Sequence, residues 1–189
     1  ALRVVSLEQA IRSIDNVAVY YDRRGLSDHG TAKLDYKRIP LSRSSGYFHP
    51  KNILLLVHNE DDQYTWESLI VATLSANLTR EGWWRNVEAA NLQEITHSDK
   101  STLRIDLLEL ISRVKAEDKT GNDHPAMEQI RTFLRKDVSE STWHRKEGRW
   151  YPHLYVGRER FPEFLEYFVQ PGEFNLEIIS PYFDESPKS

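Results

Sequence analysis

The chain has no cysteine and a single methionine among its 189 residues. The absence of cysteine excludes disulfide bonds and thiolate metal ligands, and it fits a reducing compartment. The sequence also lacks any apolar run near the roughly 20 residues that span a bilayer. Its longest apolar run, residues 53–57, has the length of a strand. We therefore expect no membrane span and a cytoplasmic location, or a nuclear one if the source is a eukaryote.

A basic excess is lacking as well. The chain has 25 Lys and Arg residues against 29 Asp and Glu residues, for a net charge of −4. Proteins that coat nucleic acid without sequence preference usually carry a basic excess, because neutralising phosphates supplies their affinity. Any contact with nucleic acid must therefore come from a local patch or from another part of the protein.

Helical and strand patterns alternate along the chain, which predicts an α/β fold with a mixed sheet flanked by helices. Helices are predicted over residues 6–14, 98–116, 125–136 and 161–169. Strands are predicted over residues 17–21, 47–57, 68–74, 86–95 and 174–180. Polar and glycine-containing segments predict a loop over residues 22–38, a hairpin turn over residues 58–66, a turn over residues 79–85 and a charged linker over residues 115–123.

Five polar residues in one window carry the chemistry: His49, Lys51, Ser75, Asn77 and Glu88. An imidazole can attack phosphorus and form a phosphohistidine, which divides one difficult displacement into two easier ones. An ammonium two residues along a strand points the same way and neutralises the phosphoryl oxygens. A hydroxyl and an amide add neutral donors to those oxygens. A carboxylate can accept the other ring N–H of the histidine and so fix its tautomer.

This window, residues 48–88, resembles the phospholipase D superfamily signature, HxK(x)4D(x)6GSxN with a downstream Glu or Gln. The segments FHPKNILLLV and LSANLTREGWWRNVE are most similar to the tyrosyl-DNA phosphodiesterase branch and to bacterial nuclease-like members. The resemblance implies one phospholipase D-like lobe and a phosphodiesterase that uses no metal and no cofactor. It implies that His49, Lys51 and Glu88 are catalytic, and that Lys51, Ser75 and Asn77 bind the substrate phosphate.

The window departs from the signature at three places. Leu56 stands where the signature has Asp, and Leu74 stands where it has Gly. Tyrosyl-DNA phosphodiesterases also lack this Asp, whereas phospholipases usually keep it. The spacing from Lys51 to Ser75 is longer than the signature, and a longer hairpin loop over residues 59–66 would absorb the excess. These departures favour the tyrosyl-DNA phosphodiesterase branch over the lipases.

Active sites in this superfamily combine two His-x-Lys half-sites, and the chain has one that matches. A second His-x-Lys, residues 144–146, has no apolar strand and no Ser-x-Asn after it, which favours a charged loop. The second half-site must come from a carboxy-terminal lobe or from a second copy in a homodimer. Because IISPYFD resembles the strand that opens a second half, we expect one lobe over residues 1–178 and the start of another over residues 179–189.

Three functions follow from this window. The first is a phosphodiesterase acting on nucleic acid, either a nuclease or an enzyme that removes adducts from DNA ends. The second is a phospholipase or phosphatidyl transferase, and the third is a non-catalytic phosphate-binding lobe. These residues can also have purely structural roles. Ser75 and Asn77 would then belong to a capped turn, and Glu88 would be a charged residue at the edge of a strand. The pairs His124/Asp123 and His97/Asp99 lack further ligands, so we expect no metal site.

Overall fold

The structure is a computed structural model of the 189-residue chain. It describes residues 14, 16–25, 37–43, 48–61, 64–76, 85, 87–121, 124–141 and 151–168. The chain divides into two compact units, residues 1–154 and residues 155–189. Within the described residues, the first unit contains seven strands and two α-helices and the second contains one α-helix. This content confirms the α/β class, while the described strands pair in three sheets rather than one.

The largest sheet is antiparallel and has three strands in the order β3 (Asn52–Asp61), β4 (Tyr64–Leu74) and β5 (Ala90–Thr96). The hairpin between β3 and β4 was predicted, but the predicted turn over residues 58–66 is too long. His58 pairs with Glu67 and Asn59 pairs with Trp66 across the ladder. Backbone hydrogen bonds make this ladder, so polar side chains can occupy its solvent-facing end.

One face of this sheet packs on two helices, α1 (Leu103–Glu117) and α2 (Pro125–Lys136). Their buried apolar side chains recur every three or four residues, so each helix turns one stripe toward the sheet. The core consists of Leu69, Val71, Ile95, Leu103, Leu107, Ile111, Ile130, Phe133, Leu134 and Val138. Burying each large side chain contributes roughly 1.5–3 kcal/mol relative to leaving it in water. This packing holds the sheet on which the candidate site is built.

A second, two-stranded sheet is parallel and joins β1 (Ala18–Asp22) to β2 (Lys37–Leu41). The first strand agrees with the prediction over residues 17–21, apart from a one-residue shift. The second strand was missed, because it is short, contains Pro40 and begins within the predicted loop. Proline lacks an N–H donor but is tolerated in an edge strand. Ile39 and Leu41 of β2 are buried in a second apolar cluster with Val114 of α1.

The helices differ in how well their boundaries were predicted. Helix α2 covers the predicted residues 125–136, with Pro125 at its first turn. Helix α1 begins at Leu103 instead of residue 98, because a turn and the short strand β6 (Lys100–Ser101) precede it. Strand β6 pairs in parallel with β7 (Ser139–Glu140), which was also missed. At its other end α1 extends to Glu117, into the predicted linker.

The second unit contains α3 (Phe161–Phe168), which agrees with the predicted helix as far as the described residues extend. Tyr155 packs its ring against Phe161 and Phe164, with ring centroids 5.2 and 5.1 Å apart.

No helix in the described ranges is both long and apolar enough to cross a membrane. Several predictions lie outside the described residues: nearly all of the helix over residues 6–14, the loop at residues 144–146, the strand over residues 174–180 and the boundary at residue 178.

Candidate active site

The four predicted site residues within the described ranges, His49, Lys51, Ser75 and Glu88, lie at one end of the three-stranded sheet, which we call the site end. Lys51 directly precedes β3, Ser75 directly follows β4, and Glu88 lies two residues before β5. Because neighbouring strands are antiparallel, the start of β3, the end of β4 and the start of β5 must meet at the same end. Backbone hydrogen bonds continue the ladder into this region: Leu74 N donates to Lys51 O at 2.8 Å, and Ser75 N donates to Ala89 O at 2.9 Å.

His49 and Lys51 are in direct contact. The Lys51 Nζ atom lies 3.0 Å from His49 Nδ1 and 3.2 Å from His49 Nε2. An ammonium can only donate hydrogen bonds, so this contact requires a ring nitrogen with a free lone pair. That is also the form of histidine that attacks phosphorus.

The contact does not arise in the predicted way. Both residues were placed on one face of a strand over residues 47–57, yet β3 begins only at Asn52. Pro50 lies between His49 and Lys51, and its ring nitrogen cannot donate to a strand ladder. It also favours an extended backbone at the preceding residue, His49. The pair therefore sits in the segment that leads into the strand.

Ser75 and Glu88 form the second contact at the site end. The Ser75 hydroxyl donates to Glu88 Oε2 at 2.5 Å and accepts from the Ala89 backbone N–H at 2.8 Å. This contact links the residue after β4 to the segment before β5. Sequence reasoning assigned Ser75 to the substrate phosphate and Glu88 to the His49 ring. Both roles stay predictions. The structure shows a hydrogen bond between these two side chains.

Charge links the two contacts. Burial lowers the pKa of the Lys51 ammonium, and the negative charge of Glu88 acts in the opposite direction. Glu88 and Lys51 are therefore near enough for the charge of the carboxylate to favour the protonated ammonium. His49, Lys51, Ser75 and Glu88 thus form one polar cluster, while the predicted phosphate ligand Asn77 lies outside the described residues.

Asp22, at the end of β1, holds the segment that carries His49. Its carboxylate accepts the Phe48 backbone N–H at 2.8 Å. It also accepts three hydrogen bonds from Arg24: from the backbone N at 2.9 Å, from Nε at 2.9 Å and from Nη2 at 2.8 Å. The Arg24 guanidinium and then the Phe48 N–H keep the pKa of the Asp22 carboxyl well below its usual range. Sequence reasoning missed this anchor, because nothing local connects residues 26 positions apart.

The other described histidines near carboxylates have different surroundings. His58 Nδ1 lies 2.8 Å from Glu67 Oε1, and both side chains are partly exposed. His124 Nε2 lies 2.7 Å from Asp118 Oδ2, and both are buried. The sequence analysis considered His124 together with its neighbour Asp123, which lies outside the described residues. Within the described ranges, no group of three or more His, Asp and Glu side chains could hold a metal ion.

The sequence had likewise paired His97 with Asp99. In the structure, His97 Nδ1 lies 3.6 Å from Asp137 Oδ1. Asp99 instead accepts the Thr96 backbone N–H at 2.7 Å. The partner of His97 therefore comes from the end of α2, 40 positions along the chain, and spacing along the sequence did not indicate it.

Comparison with protein-family models, with curated proteins and with solved structures finds no match to this chain. The resemblance to the phospholipase D superfamily therefore rests on residues 48–88 and on the positions of four of the five motif residues. Their geometry brings together an imidazole, an ammonium beside it and a hydrogen-bonded carboxylate at one exposed end of a sheet. Such a set is suited to displacement at a phosphate ester.

Proposed function

We propose that the chain is a lobe of a metal-independent phosphodiesterase that acts on nucleic acid through a phosphohistidine on His49. The observation that carries this proposal is the contact between Lys51 Nζ and the His49 ring nitrogens, at 3.0 and 3.2 Å. In this contact the Lys51 ammonium, which would neutralise a phosphoryl group, lies within hydrogen-bond distance of the His49 ring nitrogen, which would attack the phosphorus. The contact lies beside Ser75 and Glu88, at the exposed end of the sheet.

Lys51 has two partners during the proposed reaction. Without substrate, its ammonium donates to a neutral imidazole nitrogen, which would occupy the lone pair needed for attack. An anionic phosphoryl oxygen is a stronger acceptor than a neutral ring nitrogen. Binding of a phosphodiester therefore draws the ammonium onto the substrate, which releases the lone pair and neutralises the oxygens as charge develops.

The reaction takes two displacements. First, a His49 ring nitrogen forms a bond to phosphorus while the bond from phosphorus to the leaving oxygen breaks, and that oxygen takes a proton from a general acid. Next, a water oxygen attacks phosphorus, the bond from nitrogen to phosphorus breaks, and the general acid regains a proton from the water. A histidine of a second half-site serves as that acid and base, a role worth on the order of 10²–10⁴-fold in rate.

The position of Leu56 supports a nucleic-acid substrate over a lipid. This residue stands where the superfamily signature has Asp, which phospholipases usually keep. In the structure Leu56 packs against the core formed by the sheet and its two helices. A carboxylate in place of this partly buried leucine would be desolvated and would lose its apolar contacts, so the chain does not accommodate the Asp that phospholipases usually keep.

The test is hydrolysis of bis(p-nitrophenyl) phosphate and of labelled single-stranded DNA in EDTA. The wild-type chain is compared with His49→Ala and with the matched control His58→Ala, which removes an exposed histidine from the same sheet. We expect EDTA-resistant hydrolysis that falls at least about 10³-fold in His49→Ala and stays within about twofold of wild type in His58→Ala. Acid-labile labelling of the wild type by substrate would identify the phosphohistidine.

The concentration dependence of the rate identifies the second half-site. If a second copy supplies it, hydrolysis per mole of chain rises with protein concentration until the dimer is saturated. If a further lobe supplies it, this chain is inactive and hydrolysis appears when that lobe is joined to it. Inactivity in both forms overturns the enzyme proposal, and phosphate binding without turnover then favours the non-catalytic lobe.

A further inference from the structure

A small cavity lies at one end of the parallel sheet, in the same compact unit as the site. Its volume is about 190 Å³, and its lining residues are Arg23, Pro40, Ser42, Lys119 and Thr120. Arg23 directly follows β1 and Ser42 directly follows β2. Because these strands are parallel, both residues lie at the carboxyl end of the sheet. Lys119 and Thr120 come from the segment that follows α1.

The charges in this cavity favour an anion. Arg23 and Lys119 contribute two cations, and among the described residues neither forms an ion pair with a carboxylate. The acids next to them in sequence are engaged elsewhere. Asp22 accepts hydrogen bonds from Arg24, and Asp118 pairs with the buried imidazole of His124. Two cations beside a serine hydroxyl make a donor set suited to phosphate oxygens.

A short chain of contacts connects the cavity to the candidate active site. Arg23 lines the cavity and follows Asp22, whose carboxylate accepts the Phe48 N–H at 2.8 Å. His49 is the next residue. Standard bond lengths along this path limit the separation of the Arg23 and His49 Cα atoms to roughly 16 Å. A duplex strand carries one phosphate per roughly 3.4 Å of axis, so a few nucleotides cover this distance.

We propose that the cavity is a second phosphate site, which holds one phosphate of a polynucleotide while another phosphodiester lies at His49. This inference rests on the proposed function and specifies its substrate class. A polynucleotide carries phosphates at regular intervals and can occupy both places at once. The local pair of cations also provides the positive patch that the acidic composition of the whole chain does not.

The test compares Arg23→Gln/Lys119→Gln with the matched control Lys37→Gln/Arg38→Gln. The control removes two exposed cations from the opposite end of β2. All proteins carry His49→Ala, so that binding is measured without turnover. Fluorescence anisotropy gives the affinities for labelled oligothymidylates of two and of ten nucleotides at several salt concentrations.

We expect the starting protein to bind the decanucleotide more tightly than the dinucleotide. The cavity variant should lose roughly tenfold of that gain, and its salt slope should fall by roughly 0.7 for each phosphate no longer bound. The control should retain both the gain and the slope. Circular dichroism spectra that match between the variants establish that the fold is kept.

Equal losses in the two double variants overturn the proposal, because they indicate only a general effect of charge. Binding to phosphatidylglycerol vesicles that depends on Arg23 and Lys119, with oligonucleotide affinity unchanged, overturns it in favour of a lipid. The inference and the proposed function can fail separately. A length effect that depends on the cavity, in a chain without hydrolytic activity, supports the phosphate site and removes the enzyme. Hydrolysis without that effect does the reverse.

Discussion

The two ends of the three-stranded sheet each have exposed histidines, but these histidines have different partners. At the hairpin end, His58 lies 2.8 Å from a carboxylate oxygen of Glu67, and His97 also has a carboxylate partner. At the site end, His49 contacts the Lys51 ammonium instead. All three imidazoles are accessible to solvent. The charge of the partner therefore distinguishes His49 from His58 and His97 more clearly than the exposure of the imidazoles does.

This difference shows how a surface pair can be distinguished from a candidate site. A histidine beside a carboxylate can form an ion pair that is complete in itself, and exposed pairs of this kind typically contribute about 0–1 kcal/mol to folding. A lysine beside a neutral imidazole leaves its positive charge uncompensated by that neighbour. An anion between the two groups would engage both, and a phosphodiester is such an anion. The proposed function therefore assigns a ligand to the site end, whereas the histidines of the hairpin end already have carboxylate partners.

Removing the cation at the site end should have the largest effect on activity. Lys51→Gln should lower kcat/KM about 10²–10³-fold, because no ammonium then neutralises the phosphoryl oxygens. Lys100→Gln, which changes an exposed lysine in β6, is the matched control and should stay within about twofold. Rates with bis(p-nitrophenyl) phosphate in EDTA provide the measurement.

Stability separates the role of Lys51 in chemistry from a role in folding. Lys51 lies outside the apolar core, so urea unfolding of Lys51→Gln should stay within roughly 1 kcal/mol of wild type. A large loss of stability with a proportionate loss of activity would mean that Lys51 supports the sheet, and the contrast between the two ends would disappear.

A smaller effect should follow from neutralising the carboxylate at the site end. The charge of Glu88 opposes the lowering of the Lys51 pKa by burial, so Glu88→Gln should lower that pKa further. The basic limb of the kcat/KM profile should therefore move to lower pH, with a loss of kcat/KM of up to about tenfold on that limb.

Glu67→Gln is the matched control at the hairpin end. Like Glu88→Gln it neutralises one carboxylate of the sheet, but this carboxylate is the partner of His58 and does not lie near Lys51. Its pH profile should match that of wild type. A basic limb that stays in place in Glu88→Gln would show that Lys51 does not titrate in the reaction, and a shift in both variants would indicate only a change in net charge.

Local patterns predicted the main elements that hold the site, but not the residues at which β3 and β5 begin. Helix α2 was predicted over its observed residues, and Pro125 marks its first position. The hairpin of β3 and β4 was predicted from two apolar runs, and an antiparallel hairpin by itself brings Lys51 and Ser75 to one end of a sheet. The alternation of segments likewise gave the α/β class.

Contacts between distant segments could not be predicted in this way. Strand β2 is stabilised by the burial of Ile39 and Leu41 against a distant helix residue, which no local pattern reveals. The partners of Ser75 and Asp22 depend on how two segments meet after folding. The motif predicted which residues lie in one site. It did not predict that Ser75 contacts Glu88 and that His49 contacts Lys51.

The smallest expected effect concerns Asp22, which holds the backbone before His49 without reaching the site end. Asp22→Asn weakens the acceptor of the Phe48 N–H, so kcat/KM should fall several-fold and the melting temperature by a few degrees. Asp22 has a lowered pKa in the folded protein. Its contribution to stability is therefore complete above its ordinary pKa of about 3.9 and is lost as pH falls toward the lower folded value.

Urea unfolding of wild type and Asp22→Asn from pH 7 to pH 3 provides the measurement. The difference in unfolding free energy should be constant near neutrality and should shrink once the pH falls below about 4. Asp99→Asn, which changes a carboxylate that accepts a backbone N–H at the hairpin end, is the control and should leave kcat/KM unchanged. If Asp22→Asn also leaves kcat/KM unchanged while stability falls, Asp22 supports only the fold.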